Sequence, residues 1–162
     1  MTESDQLHLT RGNNPAVQAA GLHIIKMASE QLPQVLALEQ QVSKYPWRED
    51  LFVSEVSSTV LLMDKQAVLG FAVLALVADQ AELYNFAIHP QRQKQGLGSI
   101  FLNALIDALP RAIKTFYLEV RVTNYPAISL YFQQGFTIIA ERKDYYRSGE
   151  GSEDALVMSK LL

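Results

Sequence analysis

Cysteine is absent from the 162 residues of this chain, which excludes disulfides, cysteine-ligated zinc and a thiol nucleophile together. Histidine is scarce: His8, His23 and His89 are scattered without ligand spacing, so no metal centre is expected. An excess of positive charge is also missing. With 14 basic and 17 acidic residues the net charge is −3, which argues against a nucleic-acid partner and suits a basic one better. Long hydrophobic runs are lacking too. The longest, from Val68 to Ala78, is broken by Gly70 and falls far short of a bilayer, and the N-terminus has no basic segment followed by an apolar one. No membrane association and a cytoplasmic location are the expectation.

What is present is a globular composition, 49% apolar, of a size suited to one domain. Residues 1–21 are small and polar without a sustained period and read as a flexible N-terminal extension, leaving 22–162 as a single domain. A strand is expected at 22–27. Leu32, Val35, Leu36 and Val42 then recur at helical spacing, with Pro33 tolerated in the first turn. Tyr45-Pro46-Trp47 breaks that helix before a second at 48–56. Strands follow at 59–63, 67–77 and 82–88, a helix at 99–109, a strand at 115–121 and a short helix at 126–134 stopped by Gly135. Segments 136–146 and 155–161 read as a closing hairpin across a Gly/Ser/Glu-rich loop. The order is mixed α/β with several adjacent hairpins, so a wholly parallel sheet is not expected.

Between the strand at 82–88 and the helix from Ser99 lies Gln93-Lys94-Gln95-Gly96-Leu97-Gly98. A strand, a glycine turn and a helix N-terminus make an anion site: free amides point outward and the helix dipole adds partial positive charge. Arg92 and Lys94 supply mobile positive charge, and a phosphate or pyrophosphate is the natural occupant. The run is not a P-loop, which needs G-x-x-x-x-G-K-[ST]. Nor is it a dinucleotide fingerprint, because Phe101 stands where the close-packing glycine belongs. A merely structural turn is the competing reading.

The same residues resemble the Q/R-x-x-G-x-G/A loop of the GCN5-related N-acetyltransferases. Downstream, "LEVRVTNYPAISLYFQQGF" (118–136) is similar to the family's later signature, a strand, an asparagine and a helix carrying A-x-x-L-Y-x-x-x-G-F. The wording L-E-V-R-x-x-N, with "YPW" upstream and "YY" and "EDA" downstream, resembles the branch that acetylates the N-terminal alanine of ribosomal protein bS18. The resemblance spans roughly residue 22 to the C-terminus. It implies a mixed, mostly antiparallel central sheet flanked by helices and splayed between two neighbouring parallel strands, here 82–88 and 115–121. It also implies acetyl-CoA as co-substrate, with no metal. Cofactor contacts would fall on Lys94, Gln95, Gly96, Leu97, Gly98, Ser99 and Asn124. The backbone of Phe86, Ala87 and Ile88 would meet the thioester. The implied partner is the bS18 N-terminus, a basic peptide.

Acetyl transfer to an amine needs an unprotonated nucleophile, a polarised thioester and a protonated leaving thiolate. An α-amine titrates near about 7.7–8.0, against about 10.4 for lysine, so a carboxylate working through water suffices as base. By resemblance Glu119 is that general base and Tyr131 the general acid. The bland alternatives are a solvated strand-end glutamate and a packing aromatic. Asn124 is also suited to capping the helix that follows it, and His89 beside Pro90 reads as a turn residue. Glu39, Glu49, Asp50, Glu55, Asp144, Glu150, Glu153 and Asp154 are candidates to receive a basic peptide or are solvated surface. Tyr45, Trp47, Tyr145 and Tyr146 wall a peptide groove or belong to the core and rim. Two further function classes stay open: transfer to a small amine or a lysine side chain, and a CoA-binding module without catalysis.

Overall fold

A computed structural model describes residues 14–148 and 151–162. Seven strands form one sheet in the order β1-β2-β3-β4-β5-β7-β6. Their spans are β1 His23–Lys26, β2 Thr59–Asp64, β3 Ala67–Val77, β4 Gln80–Ile88, β5 Thr115–Arg121, β6 Thr137–Ser148 and β7 Gly151–Leu161. Every neighbouring pair is antiparallel except β4 with β5. Helices α1 Pro15–Ala19, α2 Leu32–Val42, α3 Glu49–Ser54, α4 Leu97–Asp107 and α5 Tyr125–Gln133 complete the chain. The mixed, mostly antiparallel architecture is the one expected.

Alternating side chains on the strands sort the core onto two faces. On one face Leu62, Leu74, Leu83, Phe116, Leu118 and Met158 pack under α4, with Phe101, Leu102 and Leu105 buried against them. On the other, Leu61, Phe71 and Val73 meet Val35 and Leu38 of α2 and Phe52 of α3. Among the described residues this second cluster draws no member from β5, β6 or β7. The β5, β7 and β6 part of that face thus contributes nothing, among the described residues, to the core under α2 and α3.

Three boundaries differ most from the sequence reading. Within the segment 1–21, residues 1–13 lie outside the described residues, whereas 15–19 form α1. Asn14 caps that helix through its side chain, Val17 is buried, and Asn14 Nδ2 donates to Asp107 of α4 at 3.0 Å. One buried valine in a polar stretch gives no period to read. Helix α4 begins at Leu97, two residues earlier than expected, because Gly96 caps it with φ of 78°. The closing hairpin is longer than expected, its strands running to Ser148 and from Gly151.

Candidate active site

The parallel pairing of β4 and β5 runs only from Gln80 opposite Thr115 to Leu83 opposite Leu118. Beyond that point the two strands part. A bulge helps to open them: Leu74 pairs with Leu83 and Val73 with Asn85, which leaves Tyr84 with no opposite residue. The extra residue also reverses the alternation. Phe86 and Ile88 then turn towards α4, Phe86 stacking on Phe101 at 5.5 Å, while Ala87 turns towards α2. The side chains of Ala87 and Ile88 are thus core, as expected, whereas Phe86 is half-buried.

In the gap lies a cleft of about 350 Å³ that passes through the plane of the sheet. Glu119, Tyr131 and Asn124 all line it. Twelve positions apart in sequence, Glu119 and Tyr131 meet there because β5 delivers one and α5 the other. Glu119 Oε1 lies 2.9 Å from Arg142 Nε, and the Tyr145 hydroxyl donates to the same carboxylate. Tyr131 is buried, its ring 5.8 Å from that of Phe136, and burial pushes its phenol well above the usual range. It is therefore protonated at neutral pH.

The two glycines of the loop serve different ends. Gly96 takes the left-handed conformation that starts α4, and a Cβ there would meet nothing within 4 Å, so the space over it is open. At Gly98 a Cβ would come within 3.3 Å of Leu130 Cδ2, so this glycine lets α4 and α5 pack closely. At the start of α4 the amides of Leu97, Gly98 and Ser99 have no carbonyl one turn back. Lys94 also has positive φ, 58°. Gln95 Nε2 donates to Gln91 O, Arg92 Nε donates to Gln95 Oε1, and Gln93 Nε2 ties the loop to Ile88 O at 2.9 Å. An open surface of outward amides beside Arg92 and Lys94 fits a pyrophosphate. Asn124 caps α5, its Oδ1 accepting from Ala127 N at 3.4 Å. His89 is a turn residue, its Nδ1 accepting from Gln91 N.

Several contributors escaped the sequence reading. Glu39 is only 2% exposed, and its carboxylate accepts from Trp47 N at 3.0 Å and bonds to Asn85 and Ser43. Burial pushes its pKa up. It is a buried clamp on the Tyr45–Trp47 loop, not a surface acid. Other candidate acids are engaged at home: Asp50 with Arg48, Glu153 with Arg121 and Thr123, Asp154 with Lys143, Asp144 with Ser152. Glu150 lies outside the described residues. The guanidinium of Arg121 sits between two rings, 4.0 Å from Tyr146 and 4.8 Å from Tyr45. Adjacent strand residues ordinarily point apart. Here β6 carries two extra residues between Arg142, opposite Ala155, and Tyr146, opposite Glu153. That irregularity lets Tyr145 reach Glu119 while Tyr146 reaches Arg121. Among the described residues there is no cluster of His, Asp or Glu suited to a metal, and no helix long and apolar enough to cross a membrane.

The model of the acetyltransferase (GNAT) family matches residues 24–136. The chain belongs to that family. Within GNAT it is 37% identical over 140 residues to the [ribosomal protein bS18]-alanine N-acetyltransferase of Escherichia coli strain K12, covering 84% of this chain and 95% of that one. The crystal structure of the ribosomal-protein-S18-alanine N-acetyltransferase from Escherichia coli superposes with a TM-score of 0.80 at 35% identity, over 86% and 93% of the two chains. Arabidopsis thaliana NAA60, solved in complex with acetyl-CoA, shares the GNAT fold at 13% identity and a TM-score of 0.77, over 87% of this chain and 99% of that one.

Proposed function

We propose that this GNAT enzyme moves the acetyl group of acetyl-CoA directly to the N-terminal alanine amine of ribosomal protein bS18, in a ternary complex in the cytoplasm. The observation that carries the reading is the cleft through the sheet, where pairing ends at Leu83 and Leu118 and Glu119 faces the same space as Tyr131. The likeness to the bS18-alanine enzymes over most of both chains supports the substrate.

Bound acetyl-CoA supplies an activated thioester. The amides of Gly96, Leu97, Gly98 and Ser99, with Lys94 and Gln95 beside them, hold its diphosphate, and Asn124 lies at the α5 side of the cleft. An amide of the Phe86–Ile88 segment, freed by the parting of β4 from β5, polarises the carbonyl. The neutral amine nitrogen bonds to the acetyl carbon, Glu119 takes through water the proton that this nitrogen sheds, and the carbon–sulfur bond breaks. Tyr131 gives its phenolic proton to the sulfur, and its raised pKa keeps that proton in place beforehand.

Mass spectrometry after incubation with labelled acetyl-CoA and a bS18 N-terminal peptide tests this reading. The expected result is one acetyl group on the α-amine and none on an α-blocked peptide. Acetylation of the blocked, lysine-containing peptide alone would move the enzyme to the side-chain class. Tight acetyl-CoA binding without transfer to any amine would make it a binding module.

A further inference from the structure

Among the described residues Glu39 is a buried carboxyl to which the proposed reaction gives no part, yet it stands in the wall of the reacting cleft. It projects from the last turn of α2, and its partners join two segments remote in sequence. Its Oε1 accepts from Trp47 N at 3.0 Å, and the carboxyl also bonds to the side chains of Asn85 in β4 and Ser43. All three partners are neutral. A carboxyl buried among neutral groups costs more than an apolar side chain of its size. Hydrogen bonds offset that cost only while both segments stay in place.

Each of those segments needs holding. After Leu83 the β4 strand loses β5 as a neighbour, so from there to Ile88 only β3 is laddered to it. Asn85 is the first residue past the bulge at Tyr84. It directly precedes Phe86–Ile88, the segment that meets the thioester in the proposed reaction. Across the cleft, residues 43–48 form neither helix nor strand, and Tyr45 and Trp47 line the space from that loop. Glu39 thus bridges the loop on one wall and the thioester strand on the other. Reacting atoms must lie about 3–3.5 Å apart, and a misplacement of about 1 Å costs on the order of 10²-fold in rate. A tie across that gap bears on the transfer step more than on the filling of either site.

We propose that Glu39 is a positioning residue for acetyl transfer: by bonding to both Trp47 N and the Asn85 side chain, it fixes the distance between the amine and the thioester carbonyl. The inference rests on the N-terminal acetyltransferase reading above. Burial favours the neutral carboxyl, which offers one acceptor and one donor, so a side-chain amide serves in its place.

The test measures kcat, the KM of an alanine-led peptide and the calorimetric Kd of acetyl-CoA, with circular dichroism establishing that each variant is folded. Glu39→Leu removes both bonds at similar volume. Its kcat is expected to fall roughly 10–100-fold, with peptide KM and acetyl-CoA Kd changed by less than about threefold. Glu39→Gln should restore kcat to within about threefold of the wild type. Asn85→Ala should lower kcat likewise, and the double variant Glu39→Leu/Asn85→Ala should be no slower than the slower single one. If Glu39→Leu does not fold, Asn85→Ala decides: a lower kcat at unchanged KM supports the positioning role and a normal kcat overturns it. A loss confined to KM, a glutamine variant as slow as the leucine one, or losses that multiply in the double variant overturns the role and leaves the reading of function intact. Wild-type protein that binds acetyl-CoA and acetylates no peptide overturns both.

Discussion

The guanidinium carbon of Arg121 lies 4.0 Å from the centre of the Tyr146 ring, joining β5 to β6 across the intervening β7. On its other side Tyr45 extends the stack to the loop that follows α2. Three segments remote in sequence are thus pinned at one end of the cleft. Each such cation–ring contact is worth about 0.5–2 kcal/mol when partly desolvated. Arg121→Ala is expected to destabilise the protein by about 1–3 kcal/mol and to loosen the Tyr45–Trp47 loop. Trp47 is the sole tryptophan of the chain, so its quenching by acrylamide reports the loosening without a label. Unchanged quenching would mean that Glu39 and the packing of Trp47 on Phe52 hold the loop without Arg121.

The pairing of Glu119 with Tyr131 carries a kinetic expectation. Glu119→Gln and Tyr131→Phe should each lower kcat by about 10²–10⁴-fold while calorimetry still detects acetyl-CoA binding. Because burial raises the Tyr131 pKa, its proton stays in place as pH rises, and the wild-type kcat should show no alkaline fall below pH 10 from loss of this acid. Normal turnover in both variants would remove these two roles.

Glu39 offers a test by pH. Burial favours its neutral form, so its contribution to stability is fully present below the ordinary value of 4.5 and is lost as pH rises through the raised folded value. Glutamine keeps an acceptor for Trp47 N but cannot ionise. Denaturant melts of Glu39→Gln and wild type at pH 4, 5.5 and 7 should show the variant gaining on the wild type as pH rises. A constant difference would mean that the carboxyl titrates alike in the folded and unfolded states.

Gly70 pairs with Ile88, and a Cβ there would lie 2.6 Å from the Ala87 carbonyl oxygen and 2.8 Å from Ile88 Cδ1. The carbonyl belongs to the backbone, so β4 itself must shift to make room. Gly70→Ala is expected to cost about 1–3 kcal/mol, lowering Tm by several degrees, and to weaken acetyl-CoA binding by displacing 86–88. Retention of both properties would show that β4 gives way freely.

The sequence reading located every strand and most helices, because apolar periodicity and glycine or proline punctuation are local signals. Thr115–Arg121 emerged with the expected ends, and Asn124 caps α5 as expected. The motif likewise singled out Glu119 and Tyr131, and both line one cleft. What stayed hidden depends on register. The approach of Arg142 to Glu119 requires the irregularity of β6 around Ile139, that of Tyr145 the one between Arg142 and Tyr146, and no spacing rule foretells those. The same holds for Tyr84, whose bulge is visible only once β3 fixes its partners. Glu39 reads in the sequence as a peptide-receiving or solvated acid, because its partners, the backbone of Trp47 and the side chain of Asn85, lie on other segments.

The early end of the β4–β5 ladder has a consequence for traffic. In the proposed reaction the coenzyme and the peptide would meet where the strands part, one from the side of Tyr131 and the other from the side of Tyr45 and Trp47, so neither would block the doorway of the other.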